Sequence, residues 1–137
     1  MIEELPYSLI PDVFIGLWRA KKCEFAFTEE DFERWCKFLP LGTRAFICMD
    51  DESKKVLGGF IVYPLLLPPC LFVQLIISLN AKAGRELEKK IESLVMSTGY
   101  DYVAGVIENP HGKAMARLYR RHNMQSIAQF FVLEVKR

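Results

Sequence analysis

Three groups in the second half of the chain have residue types that could do chemistry together. Gly84 stands between Lys82 and Arg85 in the stretch Leu79-Asn-Ala-Lys-Ala-Gly-Arg85, directly after an uncharged run at 71–79. Tyr119 shares a helix-spaced apolar stripe with Met115 and Leu118, and Glu108 ends the run before that helix. A glycine-containing turn between a strand and a helix aims unpaired backbone N–H groups and the positive end of the helix dipole at one spot, which suits a phosphate. A phenol delivered by the next helix can supply a proton, and a strand-end carboxylate can accept one.

Each residue also has a plainer account. Gly84 and Arg85 fit an ordinary strand-to-helix turn with a solvated arginine, since a single glycine is a weak signal. Tyr119 fits a half-buried aromatic with its hydroxyl in water. Glu108 fits a polar strand end, and Gln74 and Ser78 could only position water. His111 and His122 titrate in the range of a base, but His111 also suits a helix start and His122 a helix end. Lys113, Arg117, Arg120 and Arg121 give the late helix a basic face, whose ordinary explanation is solvation.

The elements that must position these residues follow from periodicity. Pro11 suits the first position of a helix with Val13, Phe14, Leu17 and Trp18 on one side. Thr28 and Asp31 form a capping box with Asp in place of Glu, ahead of a stripe of Phe32, Trp35, Cys36 and Leu39; Pro40 and Gly42 end that helix. Residues 44–49 and 56–63 read as an antiparallel hairpin around the polar turn 50–54. Residues 71–79 read as a strand buried on both faces. A short loop, 80–85, leads into a helix with the stripe Ala83, Leu87, Ile91, Leu94 and Val95, stopped by Gly99. Residues 100–107 read as a strand, the Tyr119 segment as a shorter helix, and Ile127, Phe131, Leu133 and Val135 as a last strand. The predicted fold is an α/β sandwich with a mixed sheet, in the order ααβββαβαβ.

Composition narrows the function classes. The 137 residues predict one domain, 1–137, and at 51% hydrophobic they can bury a proper core. Eighteen basic residues against 17 acidic ones leave no global attraction to nucleic acid, and the basic face lacks interleaved aromatics for base stacking. The four cysteines contain no CxxC pair and lie in apolar runs, so no zinc site is expected and they read as reduced core residues. No basic n-region opens the chain, so no signal peptide is expected. The uncharged stretch 56–81 is long enough for a membrane span. Gly58-Gly59, Pro64 and Pro68-Pro69 interrupt it, however, so it reads as two buried strands joined by a Pro-rich loop. The expectation is a cytoplasmic protein with no membrane segment. The three leucines of Pro64-Leu-Leu-Leu-Pro-Pro69, if exposed, would need a cover such as a second subunit.

With this order of elements, the chain resembles the GNAT superfamily of CoA-dependent N-acyltransferases over roughly residues 11–135. The closest part is Asn109-Pro-His-Gly-Lys-Ala-Met-Ala-Arg-Leu-Tyr-Arg-Arg-His-Asn-Met124, similar to the family segment that ends in Leu-Tyr and then Gly-Phe. The departures are specific. The family's pyrophosphate loop reads Gln/Arg-x-x-Gly-x-Gly/Ala; here Leu79 holds the first position, Lys82 the middle glycine, and only Gly84 matches. Asn123-Met124 stands for Gly-Phe, a mild change because Asn tolerates positive φ. The degenerate loop is also similar to that of small acyltransferase-like bacteriophage proteins, which would place the chain in a host cytoplasm or a virion.

The resemblance implies acetyl-CoA as cosubstrate and an amine as acceptor. It implies CoA contacts from Ile77, Leu79, Lys82, Ala83, Gly84, Arg85 and Asn109, with pantetheine between the strands 71–79 and 100–107. Tyr119 would protonate the departing CoA thiolate, Glu108 or a water would be the base, and the basic helix face could meet the 3′-phosphate. The alternative is a non-catalytic GNAT-fold interaction or structural protein, for example a viral one, with a protein partner or a homodimer. The acceptor is not written in the sequence.

Overall fold

The computed structural model describes residues 1–21, 28–66, 69–100 and 103–105, all within one compact unit, Met1–Val106. The elements are strand β1 (Ile2–Leu5), a short 3-10 turn (Tyr7–Leu9), helices α1 (Ile10–Lys21) and α2 (Glu29–Cys36), strands β2 (Arg44–Met49), β3 (Val56–Leu66) and β4 (Pro69–Ser78), helix α3 (Ala81–Thr98) and strand β5 (Val103–Gly105). The predicted helix bearing Tyr119 and the predicted last strand lie outside the described residues. The sheet runs in the order β1-β2-β3-β4-β5, antiparallel up to β4 and parallel between β4 and β5.

Two apolar clusters sandwich this sheet. Ala45, Ile47, Ile61 and Ile77 pack with Ile10, Phe14, Leu17 and Trp18 of α1 and with Phe32 and Cys36 of α2. Phe46, Cys48, Phe60, Val62, Leu71 and Val73 pack on the other face with Ala83, Leu87 and Leu94 of α3. Both faces are therefore buried, which is why β2, β3 and β4 read as nearly continuous apolar runs. Adjacent glycines let both layers approach. A β-carbon on Gly58 would lie 3.0 Å from Leu87 Cδ1 and 2.7 Å from the Ile77 carbonyl oxygen; one on Gly59 would lie 2.8 Å from Phe14 Cζ.

Local chemistry fixes the element ends. Thr28 and Asp31 form the reciprocal capping box of α2, and Trp18 stacks on Phe32 at 4.3 Å to join α1 to α2. Asp50 Oδ1 accepts the backbone N–H groups of Glu52 and Ser53, closing the β2–β3 turn. Gly99 ends α3 in the left-handed conformation, φ 78°, where a β-carbon is costly. Cys36, Cys48 and Cys70 are buried free thiols, as the apolar runs around them predict; Cys23 lies outside the described residues.

The structure corrects three expectations. β1 was not predicted: it is four residues long, carries two glutamates, and is held by pairing with β2 and by the Arg44–Glu4 ion pair rather than by propensity. The Pro-rich loop is mostly strand. Pairing of β3 with β4 continues through Pro64–Leu71 to Leu66–Pro69. Beyond Val62 β3 has no β2 partner, so a proline there costs no β2–β3 hydrogen bond. The loop 80–85 is helical from Ala81 onward.

Candidate functional site

β4 carries one extra residue, Gln74: Ile61 pairs with Leu75, and Val62 pairs with Val73. A bulge flips the alternation of everything after it. Val73 thus belongs to the α3 cluster, whereas Leu75, Ile77 and Leu79 face α1 and α2. Described pairing with β5 runs from Leu71–Val103 to Val73–Gly105, so the bulge follows directly on the last of these pairs. Beyond it, β4 runs from Gln74 to Ser78 toward the start of α3.

That helix start is built by Asn80. Its Oδ1 accepts from the Ala83 N–H at 2.8 Å and its carbonyl oxygen accepts from the Gly84 N–H at 3.1 Å. The N–H groups of Ala81 and Lys82 have no partner within the helix. Gly84 has a packing reason to be glycine: a β-carbon would lie 3.2 Å from Ser78 Oγ, so α3 starts pressed against the end of β4. The first turn of α3 holds no acidic residue, whereas those of α1 and α2 hold Asp12 and Glu29, Glu30 and Asp31. Lys82 and Arg85 are exposed there instead. Cations at a helix N-terminus are unfavourable unless an anion joins them.

A third cation carries no signal in the sequence. Lys21, the last residue of α1, donates from Nζ to the Ser78 carbonyl oxygen at 2.8 Å. Its ammonium therefore sits one residue before Leu79, the position where the GNAT pattern has Gln or Arg. Only the tertiary packing of α1 on β4 brings it there, and no local signal marks it. Of the predicted contacts, the Ile77 and Leu79 side chains point into or against the α1–α2 cluster, and Ala83 packs under α3. Glu108, Asn109 and Tyr119 lie outside the described residues.

The opposite flank of the α3 N-terminus is acidic. A groove of about 400 Å³ there is lined by Asp50, Asp51, Glu52 and Glu86 together with Lys82 and Asn80. The thiol of Cys48 donates to Glu86 at 3.1 Å and holds that carboxyl below its ordinary range, with the Met1 amino group 3.7 Å away. The two backbone N–H groups on Asp50 hold its carboxyl low as well. Asp50 and Glu86, both held low, are charged at neutral pH, so an anion meets repulsion on this flank and attraction on the Lys21 side.

At the β4 bulge, the Tyr63 hydroxyl donates to Gln74 Oε1 at 2.8 Å, and both side chains are half-buried. The Tyr63 ring packs against Phe72 at 5.4 Å between centroids. Burial raises the Tyr63 pKa, so the phenol stays neutral. No group of His, Cys, Asp or Glu among the described residues could hold a metal ion, and no described helix is long and apolar enough to cross a membrane.

No family model and no curated protein matches the sequence. Solved structures do match. An aminoglycoside acetyltransferase, meta-AAC0020, from an uncultured soil metagenomic sample superposes with a TM-score of 0.69 at 16% identity, covering 99% of this chain and 96% of that one. The ribosomal-protein-alanine N-acetyltransferase of Brucella melitensis biovar Abortus 2308 gives 0.68 at 12%, covering 98% and 99%. The aminoglycoside N-acetyltransferase AAC(6′)-Iy, solved with CoA, gives 0.67 at 11%, covering 99% and 94%. The sandwich of α1 and α2, a mixed sheet, and α3 has the fold of the GNAT N-acetyltransferases.

Proposed function

We propose that this chain is a single-domain N-acetyltransferase that moves an acetyl group from acetyl-CoA to an amine. The observation that carries the reading is a strand that pairs in parallel with β5, bulges at Gln74 and leads into a helix start that bears Lys82 and Arg85 and has no acid in its first turn. Pyrophosphate would take the N–H groups of Ala81 and Lys82, with Lys21, Lys82 and Arg85 supplying charge. The pantetheine arm would run along β4 from Ser78 toward Gln74. In the transfer, the amine lone pair attacks the thioester carbon and the C–S bond breaks. The sulfur leaves with the bonding electrons and takes a proton, while the nitrogen loses one. Tyr119 as that acid, Glu108 or a water as that base, and Asn109 as a CoA contact complete the proposal.

A second reading is a non-catalytic protein of the same fold that binds a protein partner. It is favoured by Asn80, whose side chain already occupies the Ala83 N–H, and by the carboxylates at the flank of the same helix start. Calorimetric titration with acetyl-CoA separates the two. The acyltransferase reading expects micromolar binding, about −8 kcal/mol, that is weakened at least tenfold by Gly84→Glu and by Lys21→Glu. No binding by the wild type at millimolar acetyl-CoA would leave the second reading.

A further inference from the structure

We propose that the chain pairs with a second copy of itself through an uncharged surface made by the turn before α1 and the loop between α2 and β2. The proposal stands independently of the acyltransferase reading.

Four side chains build the surface. Phe38 is 78% and Leu41 99% exposed in the α2–β2 loop, and Tyr7 is 55% and Leu9 46% exposed in the 3-10 turn. The two segments lie side by side, because the Tyr7 hydroxyl donates to the Leu39 carbonyl oxygen at 3.1 Å. Each is braced by its own backbone. The Leu9 N–H donates to the Pro6 carbonyl oxygen at 3.0 Å, and the Thr43 N–H to that of Pro40 at 3.2 Å. Between Phe38 and Leu41, Leu39 turns inward to the α1–α2 cluster. The loop thus roots one leucine in the core and holds two large apolar side chains out in water. That exposure gains nothing within the chain and is the mark of a contact surface. A braced surface also loses little freedom when it is covered. Pro64 borders it, 3.4 Å from where a β-carbon on Gly42 would stand. The surface therefore reaches the Leu-Pro segment for which a second subunit was expected.

Charge and area select the occupant. Residues 5–11 and 38–43 contain no charge. The charges that flank these segments are Glu4, Asp12, Lys37 and Arg44, two of each sign, and Glu4 pairs with Arg44. Such a surface offers nothing to a partner chosen by charge, such as a nucleic acid or an anionic membrane. It also does not repel its own copy, and two-fold pairing sets apolar side chain against apolar side chain. The four side chains expose roughly 500 Å² together. Two copies would cover about 1,000 Å², the lower bound of a specific interface. A dimer of that size is reversible, with a Kd on the order of tens of micromolar.

The test is sedimentation velocity of the full 137-residue chain over about 1 to 500 μM, a range that brackets that Kd. The wild type should pass from one chain to two across the range. Leu41→Asp, Phe38→Asp and the milder Leu41→Ser are compared with Met96→Asp, a control at an 86% exposed side chain of α3. All four change side chains that stand in water, and thermal midpoints check that the fold is kept. Each aspartate at Leu41 or Phe38 should raise the Kd at least tenfold and Leu41→Ser about threefold, with Met96→Asp unchanged. A wild type that stays a single chain at the highest concentration overturns the proposal and leaves the surface to a different protein. A dimer that the Leu41 and Phe38 variants leave as tight as before overturns it too, since that dimer forms through another face.

Discussion

The two flanks of β4 differ in how they are held. On the β3 flank, pairing runs from Gly58–Ser78 to Leu66–Pro69, interrupted only by the Gln74 bulge, and Gly58 and Gly59 bring a helix close on each face. On the β5 flank, the described pairing stops at Val73–Gly105. The β3 flank is closed by backbone hydrogen bonds and packing from one end of β4 to the other. At the end of β4 the charge differs on the two sides of the α3 start, with Lys21 at the Ser78 carbonyl on one and Asp50, Asp51, Glu52 and Glu86 on the other, which is why the Lys21 side rather than the acidic groove is proposed for an anion.

The strongest way to break this contrast is to disturb the closed flank. Gly58→Val would drive a side chain into the Ile77 carbonyl and Leu87, neither of which can retreat without moving β4 or α3. Chemical denaturation should show a loss of about 3 kcal/mol or more. A loss below about 1 kcal/mol would mean that the two layers are less tightly seated than the distances indicate.

A second test probes the buried thiols, one on each face. Burial raises Cys36 and Cys48 to about 11, and the Glu86 carboxylate adds to the effect at Cys48. Their folded-state pKa values exceed the unfolded value of about 8.5, so the unfolded chain releases these protons first. The stabilisation is complete below about pH 8.5 and is lost as pH rises toward 11. The slope should reach on the order of 1.4 kcal/mol per pH unit for each thiol. Denaturation midpoints at pH 8 and pH 10.5 read this loss, and Cys36→Ala should flatten it by roughly half. A midpoint independent of pH over that range would show that the thiols are not shielded.

The smallest expected effect sharpens the helix start. Asn80→Ala removes the cap on Ala83 and should cost about 1 kcal/mol, while exposing one more N–H to a phosphate. Acetyl-CoA affinity should therefore hold or rise even as stability falls. Stability and affinity falling together would mean that Asn80 is itself a ligand group.

How much of this was readable from residues alone depended on range. The Thr28–Asp31 box, the Asp50 turn, the Gly99 stop and the apolar stripes are local signals, and the elements appear where those signals stand. The uncharged run of β4 marked burial on both faces, but its bulge could not be seen. Gln74 is ordinary in sequence, and only the register with Ile61 and Val62 makes it the turning point. Lys21 and Tyr63 escape a local reading for the same reason, since each contact is made with a residue far along the chain, Ser78 in one case and Gln74 in the other. Gly84 was legible as a strand-to-helix glycine, but its cause is the approach of Ser78, a contact that spacing does not encode. β1 carried too little propensity in four residues to be distinguished from a polar terminus.

The most direct test of the β4 end and the α3 start as the CoA site is amide chemical-shift mapping on isotope-labelled protein titrated with acetyl-CoA. The account predicts saturable shifts concentrated from Gln74 to Ser78 and from Asn80 to Arg85, with little change in the acidic turn 50–53. Shifts centred on that turn or on the β1–β2 edge, with the Gln74-to-Arg85 stretch silent, would contradict it.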